Sequence, residues 1–184
     1  MLNSQTASHL IDAAVDAIAC TPSNIADLLD DIPAAIYVTD QQGTITYFNE
    51  ACVKLAGRRP TAGTDKWCVT WKLFTLEGKP LPHDVCPMAV AVKEQRAVRD
   101  CEAIAERPDG TRFRFRPFPT PLFAADGTSL GAVNLLLDTT HEPNPEYWQA
   151  QAERGRQLAS AMTEPDIAQT LFMMAATYDE RSLR

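Results

Sequence analysis

Apolar positions along this chain change period several times, and each change marks an element. Ile11, Ala14, Val15 and Ile18 recur at intervals of three, four and seven, which predicts an amphipathic helix in the first twenty or so residues. Thr21-Pro22 then reads as a cap with proline at the first helical position. Ile25, Leu28, Leu29 and Ile32 form a second stripe, which Pro33 ends. The period next shortens to two. AIYVTD (35–40) and TITYFN (44–49) are rich in β-branched and aromatic residues and flank a QQG turn, so they predict a hairpin. NEACVKLAG (49–57) returns to helical spacing, with Gly57 as its C-cap. Residues 58–82 contain Pro60, Gly63, Gly78, Pro80 and Pro82, and read as loop with short helical turns.

CPMAVAVKEQR (86–96) predicts a helix, and VRDCEAIAER (98–107) a strand that turns at PDG. TRFRFRPF (111–118) alternates, with Phe113 and Phe115 on one face and Arg112, Arg114 and Arg116 on the other. The arginine face is read as solvated, or as meeting an acidic partner helix. After Asp126-Gly127, SLGAVNLLLDTT (129–140) is the most apolar strand. Two helices complete the pattern. Trp148, Ala152, Leu158 and Met162 keep phase in the first, and Ile167, Leu171, Met174 and Tyr178 in the second. Thr163 and Asp166 resemble a capping box between them. The chain is therefore α+β: a five-stranded antiparallel sheet with short helices on one face, flanked by N- and C-terminal helices.

Composition narrows the function. The 184 residues are 45% hydrophobic and 22% charged, enough for one core plus flanking helices. A net charge of -7 and a pI of about 4.9 argue against nucleic acid and anionic lipid as partners. No apolar run is long enough to span a bilayer, and the N-terminus lacks a secretory signal. The five cysteines (20, 52, 68, 86 and 101) are odd in number and include no CxxC, which suits reduced thiols. The expectation is a cytoplasmic protein without membrane insertion. Recruitment to a polar or membrane kinase complex is left open.

One stretch invites chemistry. In LPHDVCPMAV (81–90), His83 and Cys86 stand three apart, a spacing that shares a face if the segment is helical. With Cys68, and with Asp84 or Asp65, they would make a metal set, although the spacing matches no common zinc signature. The plainer reading is packing. Asp84 caps a helix stiffened by Pro82 and Pro87, Cys86 and Met88 fill core, and His83 bonds a backbone carbonyl. No paired carboxylates, phosphate loop or triad spacing stands out, so the chain is read as not an enzyme. In the last strand Asn134, Leu136 and Asp138 share one face and Val133, Leu135 and Leu137 the other. An inward Asn134 needs a hydrogen-bond partner: a ligand, a water or the protein itself. The apolar stripes of the terminal helices need cover, which they find either by folding over their own sheet or in a homodimer; for the first, pairing with its copy in a parallel dimer is a further option.

The order of elements, with DLLDDIPAAIYVTDQQGTITYFNEA at the start and GAVNLLLDTTHE at the end, resembles a PAS domain over residues 25–141. GTDKWCVTWKLF and GKPLPHDVCPMAVA are similar to a bacterial subgroup attached to sensor histidine kinases. The resemblance implies a sensor or interaction module, here a stand-alone signalling regulator acting on a partner in trans, such as a sensor kinase. It implies a pocket between the inner sheet face and the short helices, walled by Asn134, Leu136, Tyr37, Phe48, Trp67 and Trp71 for a small organic ligand. It makes Asp138, Thr139 and Thr140 the signal exit, residues 1–24 a dimerising or capping helix, and residues 142–184 a helical extension. It also raises the alternative of haem or metal held by His83, Cys86 and Cys68, with no cofactor as the default. The LOV flavin motif Asn-Cys-Arg-Phe is not present; the corresponding stretch reads DKWCVTW.

Overall fold

A computed structural model describes residues 4–20, 25–30, 32, 34–140, 145–161 and 165–182. It divides into two units, residues 1–140 and 141–184. In the first, α1 (Ser4–Cys20) and α2 (Ile25–Asp30) precede β1 (Ala35–Thr39) and β2 (Ile45–Phe48). Then come α3 (Glu50–Ala56), β3 (Lys72–Phe74), a 3-10 turn at His83–Val85 and α4 (Pro87–Glu94). β4 (Ala103–Glu106), β5 (Arg112–Phe123) and β6 (Ser129–Asp138) close the unit. The strands form one antiparallel sheet in the order β2-β1-β6-β5-β4-β3.

The α+β class expected from the pattern holds, but the sheet has six strands rather than five. The additional strand, β3, lies in the stretch read as loop. Three residues are too few to show a period of two. What defines β3 is its antiparallel pairing with β4, Leu73 opposite Ala105, and a tight return follows it: Thr75 N–H donates to the Lys79 carbonyl at 2.8 Å, and Leu81 N–H to the Leu73 carbonyl at 2.9 Å. β4 begins later than expected, and β5 runs on to Phe123 through Pro117, Pro119 and Pro121. Proline normally breaks a central strand. Here β4 pairs β5 only as far as Phe115. The Pro119 carbonyl points away from β6 and accepts from Val98 N–H at 3.1 Å. N–H and C=O of one strand residue point to the same side, so the alternating prolines omit only N–H groups that β6 does not use.

Both faces of the sheet are buried, which explains the apolar runs in β1 and β6. The inner face, with Tyr37, Leu73, Phe113, Phe115 and Leu136, packs with Cys52 and Ala56 of α3 and Met88, Ala89 and Val92 of α4. The outer face, with Ile36, Val38, Phe118, Val133 and Leu135, is covered by Ala7, Ile11, Ala14 and Ile18 of α1. The first helical stripe is therefore spent on its own sheet, not on a second copy of the helix. The arginine stripe is also occupied within the chain. Arg112 meets Glu106 at 2.9 Å, and Arg116 and Arg114 meet Glu102 at 2.6 and 3.5 Å.

Two positions hold the strands in place. Gly131 has φ +117, and a Cβ there would lie 2.0 Å from the Thr39 carbonyl oxygen, so β6 can approach β1 only with glycine. Asn49 caps α3: its Oδ1 accepts from Cys52 N–H at 3.1 Å and from Ile36 N–H at 3.2 Å. Its Nδ2 lies within bonding reach of the carbonyls of Leu29, Ile32 and Ala34, with Ala34 nearest at 2.8 Å.

In the second unit α5 (Pro145–Ala161) packs against α6 (Pro165–Ser182) through small residues. Ala152, Ala159 and Ala175 are buried, and a Cβ on Gly155 would lie 3.2 Å from that of Ala175. Trp148 stacks on Tyr178 with ring centroids 5.5 Å apart, and Arg156 reaches Asp179 at 2.6 Å. The predicted stripes are only half used. Leu158, Ile167 and Met174 stay exposed. The caps read at Thr21-Pro22 and Thr163, and the stripe residue Met162, lie outside the described residues.

Asn49→Ala removes a helix cap and leaves buried Ile36 N–H and the Ala34 carbonyl without partners. The expected loss is about 3–5 kcal/mol. A urea titration followed by circular dichroism measures it, and a loss under about 1 kcal/mol would refute the clamp.

Candidate functional site

The inner face carries one buried polar network, and the register of the sheet creates it. Tyr37 on β1 stands opposite Asn134 on β6, and both side chains point to the inner face. Asn134 Oδ1 accepts from Phe118 N–H at 2.9 Å, while its Nδ2 donates to the Tyr37 hydroxyl at 3.0 Å. That hydroxyl donates to the Trp67 carbonyl at 3.0 Å. Trp67 N–H donates to the Gly43 carbonyl at 2.7 Å. One chain of hydrogen bonds thus links β5, β6, β1, the Trp67 loop and the β1–β2 turn.

Trp67 sits in that chain at φ +68, a left-handed conformation that bulky side chains rarely adopt. Its ring lies against Gly43, where a Cβ would come within 2.2 Å of the ring carbons. The Lys93 ammonium stands 5.1 Å from the same ring, a cation–π contact. The turn beneath is set by Asp40, whose Oδ1 accepts from Gln42 N–H and Thr44 N–H at 2.9 and 2.8 Å.

Three thiols flank this network. Cys52 donates to the Ile36 carbonyl at 3.2 Å, and Cys68 shares a hydrogen bond of 3.1 Å with the Thr70 hydroxyl. Cys86 is buried in the same inner core. Burial pushes the Cys86 thiol up to about 12 and raises Cys52 and Cys68 in the same direction. Burial also raises Tyr37 well above the usual phenol range. These groups are neutral in the interior at pH 7. Protonated thiols are poor nucleophiles and poor metal ligands.

The candidate residues separate on this geometry. Tyr37, Trp67 and Asn134 are joined by hydrogen bonds, and Leu136 and Cys68 belong to the same cluster. Phe48 packs at its margin under the Arg59 guanidinium, 5.9 Å away. Trp71 is 51% exposed and walls nothing on the inner face. His83 and Cys86 do not share a helix face, because His83 lies in the 3-10 turn and Cys86 is extended at φ -67, ψ 164. Cys86 itself occupies the N-cap of α4 without a side-chain bond; Asp84 is not the cap. No group of three or more His, Cys, Asp or Glu side chains among the described residues is placed to hold a metal ion.

His83 instead lines an open pocket of about 480 Å³ with Lys72, Leu73, Phe74, Pro80, Leu81 and Pro82. Its Nε2 is buried and has no hydrogen-bond partner, contrary to the carbonyl bond expected for it. Burial, then the Arg58 guanidinium, holds His83 below the usual imidazole range. Arg58 pairs with Asp65 and lies within bonding reach of the Val69 and Thr70 carbonyls. Reading the sequence missed this pocket because it missed β3. The available signal was the Glu77-Gly78 turn between apolar residues at 73–74 and 80–81.

At the exit, Asp138 Oδ1 accepts from Thr140 N–H at 2.9 Å. Thr139 N–H donates to the Arg114 carbonyl at 2.9 Å, and the Arg114 guanidinium donates to the Thr139 carbonyl at 3.0 Å. The Thr139 hydroxyl is buried without a partner. The end of β6 is therefore fastened to β5 by one arginine, which also meets Glu102.

This architecture has a known counterpart. The PAS fold matches residues 29–143, well over half of the chain. The chain belongs to the PAS family. Among solved structures, a LOV protein of Rhodobacter sphaeroides is 12% identical, covering 97% of each chain with a TM-score of 0.46. A PAS domain from Colwellia psychrerythraea is 22% identical, covering 62% of this chain and 93% of that one, with a TM-score of 0.44. The LOV domain of a blue-light activated histidine kinase from Erythrobacter litoralis is 17% identical over 60% of this chain and 99% of that one, with a TM-score of 0.44. No curated protein matches the chain. PAS domains are sensor and interaction modules, and the inner face of this one carries the Tyr37–Asn134 network.

Two measurements test the site. Tyr37→Phe leaves Asn134 Nδ2 and the Trp67 carbonyl unpaired, for an expected loss of about 1–3 kcal/mol by denaturant titration; an unchanged midpoint would show that the network is not a structural link. His83 titrates lower in the folded protein than in the unfolded chain. Between its lowered value and about 6.5 the unfolded chain therefore binds more protons, and this contribution to stability is lost as pH falls through that window. His83→Gln should flatten the dependence, and an identical profile in the variant would assign it elsewhere.

Proposed function

We propose that this PAS protein is a signalling regulator that works by binding other proteins. It forms a homodimer through its helical extension and acts in trans on a partner such as a sensor histidine kinase. It is cytoplasmic in this reading and has no catalytic activity of its own. The observation that carries the reading is the inverted composition of the helical hairpin. Small residues, Ala152, Gly155, Ala159 and Ala175, fill the contact between α5 and α6. Large apolar residues, Leu158, Ile167, Phe172, Met173 and Met174, face outward, Met173 being 66% exposed. A two-helix unit closed on alanines buries little apolar area, and an exposed face of this kind marks an interaction surface.

Other features support protein binding over a ligand held inside the sheet. Asn134 and Tyr37 satisfy each other and the backbone. The space against the inner face is filled by Val69, Met88, Phe113 and Phe115. No described helix is long and apolar enough to cross a membrane. A net charge of -7 disfavours nucleic acid. The haem or metal alternative at His83, Cys86 and Cys68 draws no support from the geometry, since both thiols pack in apolar core.

Light scattering coupled to size exclusion tests the assembly. The expected result is a dimer, converted to monomer by Leu158→Glu with Met174→Glu while the thermal transition of the PAS domain stays in place. The same variant should lose its effect on the autophosphorylation rate of the partner kinase. A monomeric parent protein would overturn the reading.

A further inference from the structure

The pocket beside β3 has features that the proposed signalling role does not use. We propose that it binds a small amphipathic carboxylate, an anion attached to an aromatic or short aliphatic body. Three observations combine. The first is size and lining: about 480 Å³, within the range of small-molecule sites, with Leu73, Phe74 and Leu81 as apolar surface between Pro80 and Pro82.

The second is charge at the rim. Lys72 Nζ meets Glu106 Oε1 at 2.9 Å, and Arg112 donates to Oε2 of the same carboxylate at 2.9 and 3.0 Å. Two cations thus share one anion, which leaves +1 on these three side chains in a protein whose total is -7. The Arg112 guanidinium also stacks over the Phe74 ring at 4.2 Å, placing positive charge directly on the pocket lining. Arg112 alone satisfies Glu106, so the half-exposed Lys72 can turn to an incoming carboxylate without stranding its partner.

The third is His83, whose side chain lines the pocket while its Nε2 is buried against the protein with no hydrogen-bond partner. A buried polar nitrogen without a partner is uncommon, and a turn of the ring would present it to a group in the pocket. The apolar floor selects against simple inorganic anions, and the cations select against amines. Leu73 also belongs to the inner core, but Tyr37, Trp67 and Asn134 do not line the pocket, so occupancy does not require the Tyr37–Asn134 network to open.

Phenylacetate is the probe, titrated into the full-length 15N-labelled protein to about 10 mM, with phenylacetamide and phenethylammonium as isosteric controls. The expected result is saturable shifts of the Leu73, Phe74, Leu81 and His83 amides, with a Kd on the order of 1 mM for a ligand of this size. Phenylacetamide and phenethylammonium should bind at least about tenfold more weakly, and Lys72→Glu should weaken phenylacetate by about the same factor. If Lys72→Glu perturbs the fold, the amide control still isolates the charge. The proposal is overturned if none of these amides shifts saturably, if the amide binds as well as the acid, or if the shifts centre on Tyr37 and Asn134.

Discussion

The PAS unit depends on one buried amide. Asn49 stands between β2 and α3, and its own N–H donates to the Ile36 carbonyl at 3.1 Å. Its side chain caps the helix, bonds β1 from the same oxygen and turns its nitrogen to the carbonyls that lead from α2 into the sheet. No aliphatic residue could replace it, because Ile36 N–H and the Ala34 carbonyl would then be buried without partners. Aspartate would lose the donor half and bring a charge into a dry site. The single side chain therefore fixes where the helical entry stops and where the first hairpin begins. The position of Tyr37 on the inner face follows from that register.

The second constraint is carried by proline and glycine. β5 is central at its first half and an edge at its second, and the three prolines lie entirely in the second. They leave Phe118 N–H facing β6, where it meets the Asn134 amide. Gly131 lets β6 come close enough to β1 for Asn134 to face Tyr37. The strain at Trp67, about 1–2 kcal/mol for a left-handed residue with a side chain, persists because both its N–H and its C=O are tied into this arrangement. Backbone choices at residues far apart in sequence thus converge on one network of neutral polar groups.

Much of this was legible in the sequence, for definite reasons. The alternation in TRFRFRPF fixed which face of β5 is buried, and the position of Asn134 relative to Leu135 fixed its face on β6. Asn49 could be read as a helix opener because caps are local. Its bonds to Ile36 and Ala34 could not, since they depend on how α2 meets the sheet. β3 was hidden because three residues carry no period. The arginine stripe was readable as a face but not as paired, because its partners Glu102 and Glu106 lie across a turn and become neighbours only in register. Trp71 and Trp67 looked equivalent by type. A positive φ at one and exposure at the other separate them, and neither has a sequence signature outside glycine.

The distribution of unmet demands shows where this module can respond. In the interior, Asn49, Asn134 and Tyr37 all have partners, and burial keeps the thiols of Cys52, Cys68 and Cys86 protonated. Such a network resists change, because breaking any member leaves another unpaired in a low-dielectric site. The arginines of β5 are all held by carboxylates across the sheet, Arg112 by Glu106 and both Arg114 and Arg116 by Glu102. Among the described residues, the buried hydroxyls of Thr39 and Thr139 lack partners, and at the periphery large apolar side chains of α5 and α6 and a buried nitrogen of His83 are also left unsatisfied. A signal that acts at those places changes an interface or a surface site without first unfolding the core. One joint connects interior to exit. Arg114 holds the Thr139 carbonyl while sharing Glu102 with Arg116, so a shift of β5 relative to β6 is felt at Thr140, where the PAS unit ends.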